Sequence, residues 1–361
     1  MRLRRMLATR NSIASDPFLR GKRSIRWRNN APSLSYPGRV PNPLRRGLII
    51  AVAASLQAIP ALAQRFKFEQ TYEVNQQTKL DIETRRGEIR VTGTDADEML
   101  IRGAVTVRFG WNVPENAVEL ARRIAAAPPV TREGETFRLR DPADPIEQRA
   151  VTVSYEVHLP RRTPLVALSR SGAVTIEGIQ ASVAAQTQSG AIRLSDLGAA
   201  QATSGSGAVK ADGVSGVLRV QTGSGSIQAR DLRGGLNAKT NSGSVDGAFN
   251  GEGAVNVRTQ SSAVLLQGVH GELDVLTGSG RARITGAPVN RWSVSTGSGA
   301  VDLDIDAGTP VTVNARTGSG SVKVDGLQAS GVVSKRRMVG TLAGGGALLN
   351  VTSRSGSIRI Q

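Results

Sequence analysis

Thr222-Gly-Ser-Gly-Ser-Ile227, Thr277-Gly-Ser-Gly280, Thr296-Gly-Ser-Gly-Ala-Val301 and Thr317-Gly-Ser-Gly-Ser-Val322 are copies of one phrase. With the second glycine of the phrase as origin, strict and loose copies fall at Gly87, Gly172, Gly190, Gly207, Gly225, Gly243, Ser262, Gly280, Gly299, Gly320 and Gly356. From Gly172 to Gly320 successive origins lie 17 to 21 residues apart, most of them 18 or 19. A fixed period of this length marks a solenoid. Each repeat is one coil that cannot bury its own apolar face and must stack on its neighbours.

Outward from the phrase, the pattern is that of a strand on each side. Two residues after the origin stand Val174, Ile192, Val209, Ile227, Val245, Val264 and Val301, the β-branched type that packs best on a pleated surface. Four after stand Ile176, Leu194, Ala211 and Ile284. The residue between is polar in most coils, so one face points in and one out. Seven and five before the origin every copy is apolar, for example Leu218 and Val220, and three before every copy has Thr or Ser. The fold class is therefore all-β, a β-solenoid (parallel β-helix) with coils of about 18 residues and two strands per coil.

The structural corners are Gly172, Gly190, Gly207, Gly225, Gly243, Gly280, Gly299, Gly320 and Gly356. Glycine is expected there because a corner disfavours a Cβ, often with φ > 0. The serine before it is expected to bond local backbone at the bend. The Thr/Ser row is expected to form a hydroxyl ladder at the edge of the core.

Composition agrees with a narrow core. The 361 residues include 41 Gly and no Cys, with aromatics at 3%. The absence of Cys excludes disulfides, Cys-based zinc sites and a lipid-modified N-terminal Cys. The net charge of +17 is unevenly distributed: residues 1–63 hold 12 Lys/Arg and one Asp, and the remainder 34 Lys/Arg against 28 Asp/Glu. The basic segment ends in a secretory pattern. Arg45-Arg46 is followed by the apolar Gly47–Ile59 and by Ala61-Leu-Ala63, an A-x-A site that predicts cleavage before Gln64. Pro60 and Gln57 make the stretch too short and too polar for a membrane anchor, so the cleaved chain is not an integral membrane protein. Residues 1–44 read either as an overextended start, with translation beginning near Val40, or as a disordered Arg-rich arm. Neither reading points to a nucleic-acid partner.

The organisation predicted along the chain is an extension (1–44), a signal peptide (45–63), a first coil (64–98), an insertion of strands and a short helix acting as a cap (99–160), and solenoid repeats (161–361). Within the insertion, Met99–Phe109 and Ala150–His158 alternate as strands. Pro114–Ala126 reads as a helix with Asn112 as cap, and Arg132-Glu-Gly-Glu135 as a hairpin turn. At the other end Val332–Leu349 is expected to supply a degenerate coil, with Ser355–Ile360 closing the rod.

The repeats, the early phrase Ile82-Glu-Thr-x-x-Gly-Glu-Ile-x-Val91 and the ending Gly340-Thr-Leu-x-Gly-Gly-Gly through Ser353-Arg-Ser-Gly-Ser-Ile-Arg-Ile360 resemble a bacterial domain-of-unknown-function family of "putative adhesin" type. They are similar in style to the head GIN adhesin-like domains. The resemblance spans about residues 66–361. It implies an exported β-solenoid and brings no catalytic, cofactor-binding or metal-binding residue with it.

Candidate chemistry is sparse. The Gly-Ser-Gly corners lack the Gly-Lys-(Ser/Thr) that a phosphate-binding loop needs. Asp302, Asp304 and Asp306 put three carboxylates on one strand, a possible cation face or a solvated one. His158 and His270 lack the context of a nucleophile elbow. Adjacent outward cations, Arg193 and Lys210, read either as a solubilising face or, since they would repel unless an anion lies across them, as a contact for an anionic envelope polymer or a surface glycan; the sequence leaves the partner open. Trp292 holds an inward position. The reading is an exported, non-enzymatic envelope protein, an adhesin or scaffold in the periplasm or at the cell surface, without cofactor. The alternative is a polysaccharide-acting β-helix, a lyase or hydrolase, which would need clustered carboxylates or a basic catalytic residue in a groove.

Overall fold

The computed structural model describes residues 64–361. The expected leader, with Ala61 and Ala63 of its cleavage site, lies outside the described residues, and Gln64 is the first within them.

Two long sheets, of 14 and 15 strands, carry the chain, and each coil gives one strand to each sheet. Leu218–Thr222 pairs in parallel with Ala200–Ser204 on one side and Leu236–Thr240 on the other. Past the corner, Ile227–Leu232 pairs with Val209–Val214 and Val245–Phe249 in the opposite sheet. The register places like on like: Leu218 between Ala200 and Leu236, Ile227 between Val209 and Val245. These inward rows are buried along the whole rod and form one continuous core. Burying each Val, Leu or Ile contributes about 2 kcal/mol, which is what holds coil to coil.

The corner glycines differ from expectation in their reason. The left-handed residues of the chain do not include them. Their constraint is proximity. A Cβ on Gly225 would come within 2.0 Å of the carbonyl oxygen of Gly207, and one on Gly190 within 2.0 Å of that of Gly172. Each corner rests its Cα on the carbonyl of the corner below, so the rod narrows to a backbone-on-backbone edge. The hydroxyl row also differs. It bonds mainly the backbone, and among the described residues hydroxyl meets hydroxyl within the row only where Thr84 donates to Ser169 at 3.2 Å. The amides of Gly172, Gly190, Gly225, Gly243, Gly280, Gly299, Gly320 and Gly356 each donate to the Thr or Ser hydroxyl three residues back, at 2.7–3.1 Å. Several of those hydroxyls reach the corner carbonyl of the neighbouring coil, as Thr317 does to Gly356 at 2.7 Å.

The left-handed conformation sits instead in the second turn. It falls six residues after the origin, at Gly178, Asp196, Gly213, Asp231 and Gly268, with φ between 50° and 73°. This residue resets the strand alternation, so the next side chain points inward again. Ile179, Leu197, Val214, Leu232 and Val269 thereby form a further buried row. Glycine pays no steric penalty at positive φ, and Asp tolerates it through local hydrogen bonding.

The N-terminal cap comprises β1 (Arg65–Glu73), the first coil's β2 (Lys79–Thr84) and β3 (Ile89–Thr94), then β4 (Glu98–Val107), α1 (Ala117–Ala126), β5 (Val130–Glu133), β6 (Thr136–Leu139), α2 (Pro145–Ala150) and β7 (Val151–Pro160). Beyond β3 one sheet continues through β7, β4 and β1, and beyond β2 the other continues through β6 and β5. The stretch 65–73, placed with the first coil by the sequence, is thus an edge strand of the cap, antiparallel to β4. Its anchor is Phe68, whose ring occupies the space above Gly103 and meets Tyr155 edge-on at 6.1 Å. Helix α1 starts later than expected, with Asn116 rather than Asn112 at its N-cap, and turns Leu120, Ala121 and Ile124 into the core. The short helix α2 was not anticipated. Pro145 opens it, and the carboxylate of Asp144 accepts the amide of Ile146 at 2.7 Å.

At the C-terminal end the expected order is overturned. The last coil in sequence is not the last in space. Ala347–Ser353 lies between Arg291–Thr296 and Val311–Thr317, and Ile358–Ile360 between Val301–Ile305 and Val322–Val324. The chain climbs past one rung after Ile305, using the long 21-residue step, and returns to fill it. No degenerate coil forms. Ala329–Ser334 and Arg337–Leu342 make a hairpin that extends the sheet antiparallel to Val311–Thr317, with Met338 and Leu342 buried on the core.

Candidate functional site

The residues singled out by sequence are largely dispersed. Eight of the corner amides are already donated to Thr and Ser hydroxyls, so those Gly-Ser-Gly corners do not hold their amides free as a phosphate cradle would. Asp302 and Asp304 face outward on Val301–Ile305, whereas Asp306 lies in the following turn. Asp302 stands between Arg283 and Arg359 in the ladder and 3.6 Å from Arg281. Asp306 is 3.6 Å from His270. His158 on β7 lies 3.3 Å from Glu156. Among the described residues no three His, Cys, Asp or Glu gather to hold a metal ion, and no helix is long and apolar enough to cross a membrane. Trp292 is fully buried, its indole N–H donating to the carbonyl of Gly271 at 3.0 Å.

Arg193 and Lys210 are direct neighbours in the ladder. A longer basic feature, which the sequence reading missed, runs beside the glycine corner on the other sheet. Residues four before each origin point outward from their strands and form one wall; residues two before it stand at the bend and form the other. Between them the Thr/Ser row turns inward, and its backbone becomes a floor. At the bend Gly205 and Gly223 have no side chain to fill the channel. The resulting groove near the N-terminal half encloses about 870 Å³, with Arg170, Gln186, Gln188, Gln221, Lys239 and Asn241 among its lining. The same repeat positions line a second stretch of about 780 Å³, where Arg316 and Arg354 stand over Gly278, Gly297 and Gly318.

The electrostatics of this edge are one-sided. Arg85, Arg170, Lys239, Arg316 and Arg354 line it, against the single carboxylate Glu83. Glu83 lies 3.5 Å from Arg140 and is already offset. Arg170, Lys239, Arg316 and Arg354 have no carboxylate partner among the described residues. Glutamines and hydroxyls supply neutral donors and acceptors between the charges. The signal was present in sequence as the minus-four and minus-two columns, but only the fold shows that those columns flank a channel.

Two copies of one sequence model, Toastrack DUF4097, match residues 150–262 and 252–361. The chain belongs to this family. The Toastrack match begins at β7 and runs through the rungs just described to the last residue. Solved structures similar to this Toastrack chain include a putative cell adhesion protein from Clostridium sporogenes, 13% identical, covering 82% of this chain and 99% of that one, with a TM-score of 0.20. A putative adhesin from Bacteroides fragilis is 13% identical, covers 82% and 97%, and has a TM-score of 0.26. A putative adhesin from Parabacteroides distasonis is 9% identical, covers 81% and 96%, and has a TM-score of 0.31. Among curated proteins none matches the sequence.

Proposed function

We propose that this Toastrack protein is an exported, non-enzymatic envelope scaffold that holds a linear anionic polymer, such as an acidic glycan, along the groove beside its glycine corner. The observation that carries the reading is the row of cations without carboxylate partners on that edge. Rungs repeat about every 4.8 Å, so a stiff linear chain laid along the rod passes a succession of cations and neutral polar side chains, Arg170, Gln186, Gln188, Gln221 and Lys239 among them. Cations gathered along one edge without counter-charge make it electropositive, and an anionic chain lying along it meets that potential. The Arg45-Arg46 to Ala63 pattern supports export, by cleavage before Gln64.

Glycoside hydrolysis ordinarily works with two carboxylates flanking the bond. The groove lining offers Glu83 alone, held by Arg140. This favours binding over cleavage.

The test compares binding of a linear polyuronate and a neutral glucan of matched length to the purified protein across a salt series. The expected result is retention by the polyuronate alone, weakening steeply with salt, and weaker by about tenfold in an Arg170→Gln/Lys239→Gln double variant. Equal affinity for both polymers, or binding insensitive to salt, overturns the reading. Fractionation of cells with sequencing of the N-terminus tests export separately: a chain beginning at Met1 in the cytoplasm contradicts it.

A further inference from the structure

The two sheets end in four edge strands, and one of them is unlike the rest. At the N-terminal end β1 carries Arg65, Lys67, Glu69 and Glu73, and β5 carries Arg132 and Glu133. At the C-terminal end Val322–Val324 carries Lys323. Charges on an edge strand deter pairing with another chain. Ala329–Ser334, the outermost strand of the 15-stranded sheet, reads Ala-Ser-Gly-Val-Val-Ser and has none. Every one of its residues is exposed, Val332 at 70% and Val333 at 53%.

We propose that Ala329–Ser334 is a self-docking edge: it pairs antiparallel with the same strand of a second copy, about a two-fold axis through Val332, joining two rods end to end. Three observations select this occupant. The first is shape. Gly331 pairs with Gly340 of the adjacent strand, so two glycines leave the core-facing side of the sheet end bare, while Val333 projects from the same side next along the strand. In a two-fold register centred on Val332, Val333 of each copy falls opposite Gly331 of the other, bulk against gap. Ser330 falls opposite Ser334, and Val332 meets its counterpart on the outer side.

The second is charge. Lys335 and Arg336 turn the chain at one end of the strand, and Asp325, 3.5 Å from Arg359, precedes it at the other. Antiparallel pairing sets the basic turn of each copy toward the Asp325 end of its partner and keeps the two basic turns apart. The third is edge matching. Head-to-tail stacking would join this six-residue strand to the four-residue β5, whose Arg132 and Glu133 are engaged with Glu135 and with Arg138 of β6. Self-pairing matches length with length and closes after two copies.

The chain contains no cysteine, so one introduced thiol reports the contact without background. Directly opposed residues of an antiparallel pair have Cα atoms about 4.5–5.5 Å apart, within disulfide reach. The full-length protein is weighed by sedimentation over a micromolar concentration range. Val332→Cys and, as control on the opposite end, Thr131→Cys are then oxidised and run without reductant. The expected result is a dimer in reversible equilibrium, a disulfide-linked dimer for Val332→Cys only, and at least about tenfold weaker association in Val332→Lys, where like charges meet at the axis. Circular dichroism confirms that the lysine variant, altered at an exposed position, keeps its fold. A monomer at every concentration overturns the proposal. So does a dimer that Val332→Lys leaves undiminished, or one that crosslinks through residue 131 instead.

Discussion

The hydroxyl of Thr222 accepts the amide of Gly225, three residues on, at 3.0 Å, and both groups are buried. A buried amide stripped of its partner costs about 1–3 kcal/mol. Thr222→Val keeps shape and volume and removes that partner alone, so we expect it to lower unfolding free energy by about 2 kcal/mol in denaturant melts. Thr222→Ser keeps the hydroxyl, as Ser169 and Ser353 do in their own coils. It should cost less than about 1 kcal/mol, the value of one buried methyl. Equal losses in the two variants would remove the hydrogen bond from the account.

The two kinds of glycine in each coil answer differently to substitution. Gly225→Ala drives a Cβ to within 2.0 Å of the Gly207 carbonyl oxygen, backbone against backbone, and neither coil can yield without parting the ladder. A loss of about 3 kcal/mol is expected. Gly213 has φ +67°, and its nearest neighbour would lie 3.5 Å from a Cβ. The residues on neighbouring rungs at that position, Asp196 and Asp231, are left-handed without being glycine. Gly213→Asn should therefore fall within about 1 kcal/mol of the parent, and Gly213→Val well below it, since a β-branched residue resists positive φ. Chemical denaturation of the three variants checks the ranking.

How much of this was legible in the sequence follows from which contacts repeat. The inward rows led by Leu218, Val220 and Ile227 stack on themselves, so period and polarity sufficed to place them in two parallel sheets. The row of Ile179, Leu197, Val214, Leu232 and Val269 was missed because the left-handed residue before it breaks the alternation that the eye follows. The reversed order of the last two coils could not be read either. The phrases at Gly320 and Gly356 are near-identical, and parallel pairing accepts either on the rung above Gly299. The groove beside the corner needed the fold, since its two walls are columns of unlike residues, Arg170 with Gln188 on one and Gln186 with Lys239 on the other.

Ser262 is the one origin between Gly87 and Gly356 that is not glycine. Its hydroxyl and that of Thr259 are both buried without a partner. Ser262→Gly removes one orphan and frees the corner amide to reach Thr259 as in the coils on either side. Relief of about 2 kcal/mol outweighs the backbone entropy of a glycine, about 0.5–1 kcal/mol. The variant should be the more stable by about 1 kcal/mol. A lower melting temperature for Ser262→Gly would mean that this coil is built around the serine, in keeping with the 19-residue step that leads into it.

The cap supplies a pH dependence. Asp141 is half-buried beside the first corner, where its carboxylate accepts the amide of Arg85 at 2.6 Å. Burial raises its pKa above the ordinary carboxylate range, and the Arg85 amide only partly offsets this. A carboxyl whose folded pKa is raised holds its proton more tightly in the folded chain than in the unfolded one. Its contribution to stability is full below the unfolded pKa, about 3.9, and is lost as pH rises through the folded value. At neutral pH the ionised, desolvated carboxylate is therefore a net penalty. Asp141→Asn keeps an oxygen for the Arg85 amide and removes the charge. It should melt at a higher temperature than the parent near pH 7, and the gap should close as pH falls below about 4, where the parent carboxyl is protonated in both states. Parallel thermal melts of parent and variant across that range decide the matter. A variant that is less stable at pH 7, or a gap that widens in acid, would mean that the charge on Asp141 holds the Arg85 corner rather than burdening it.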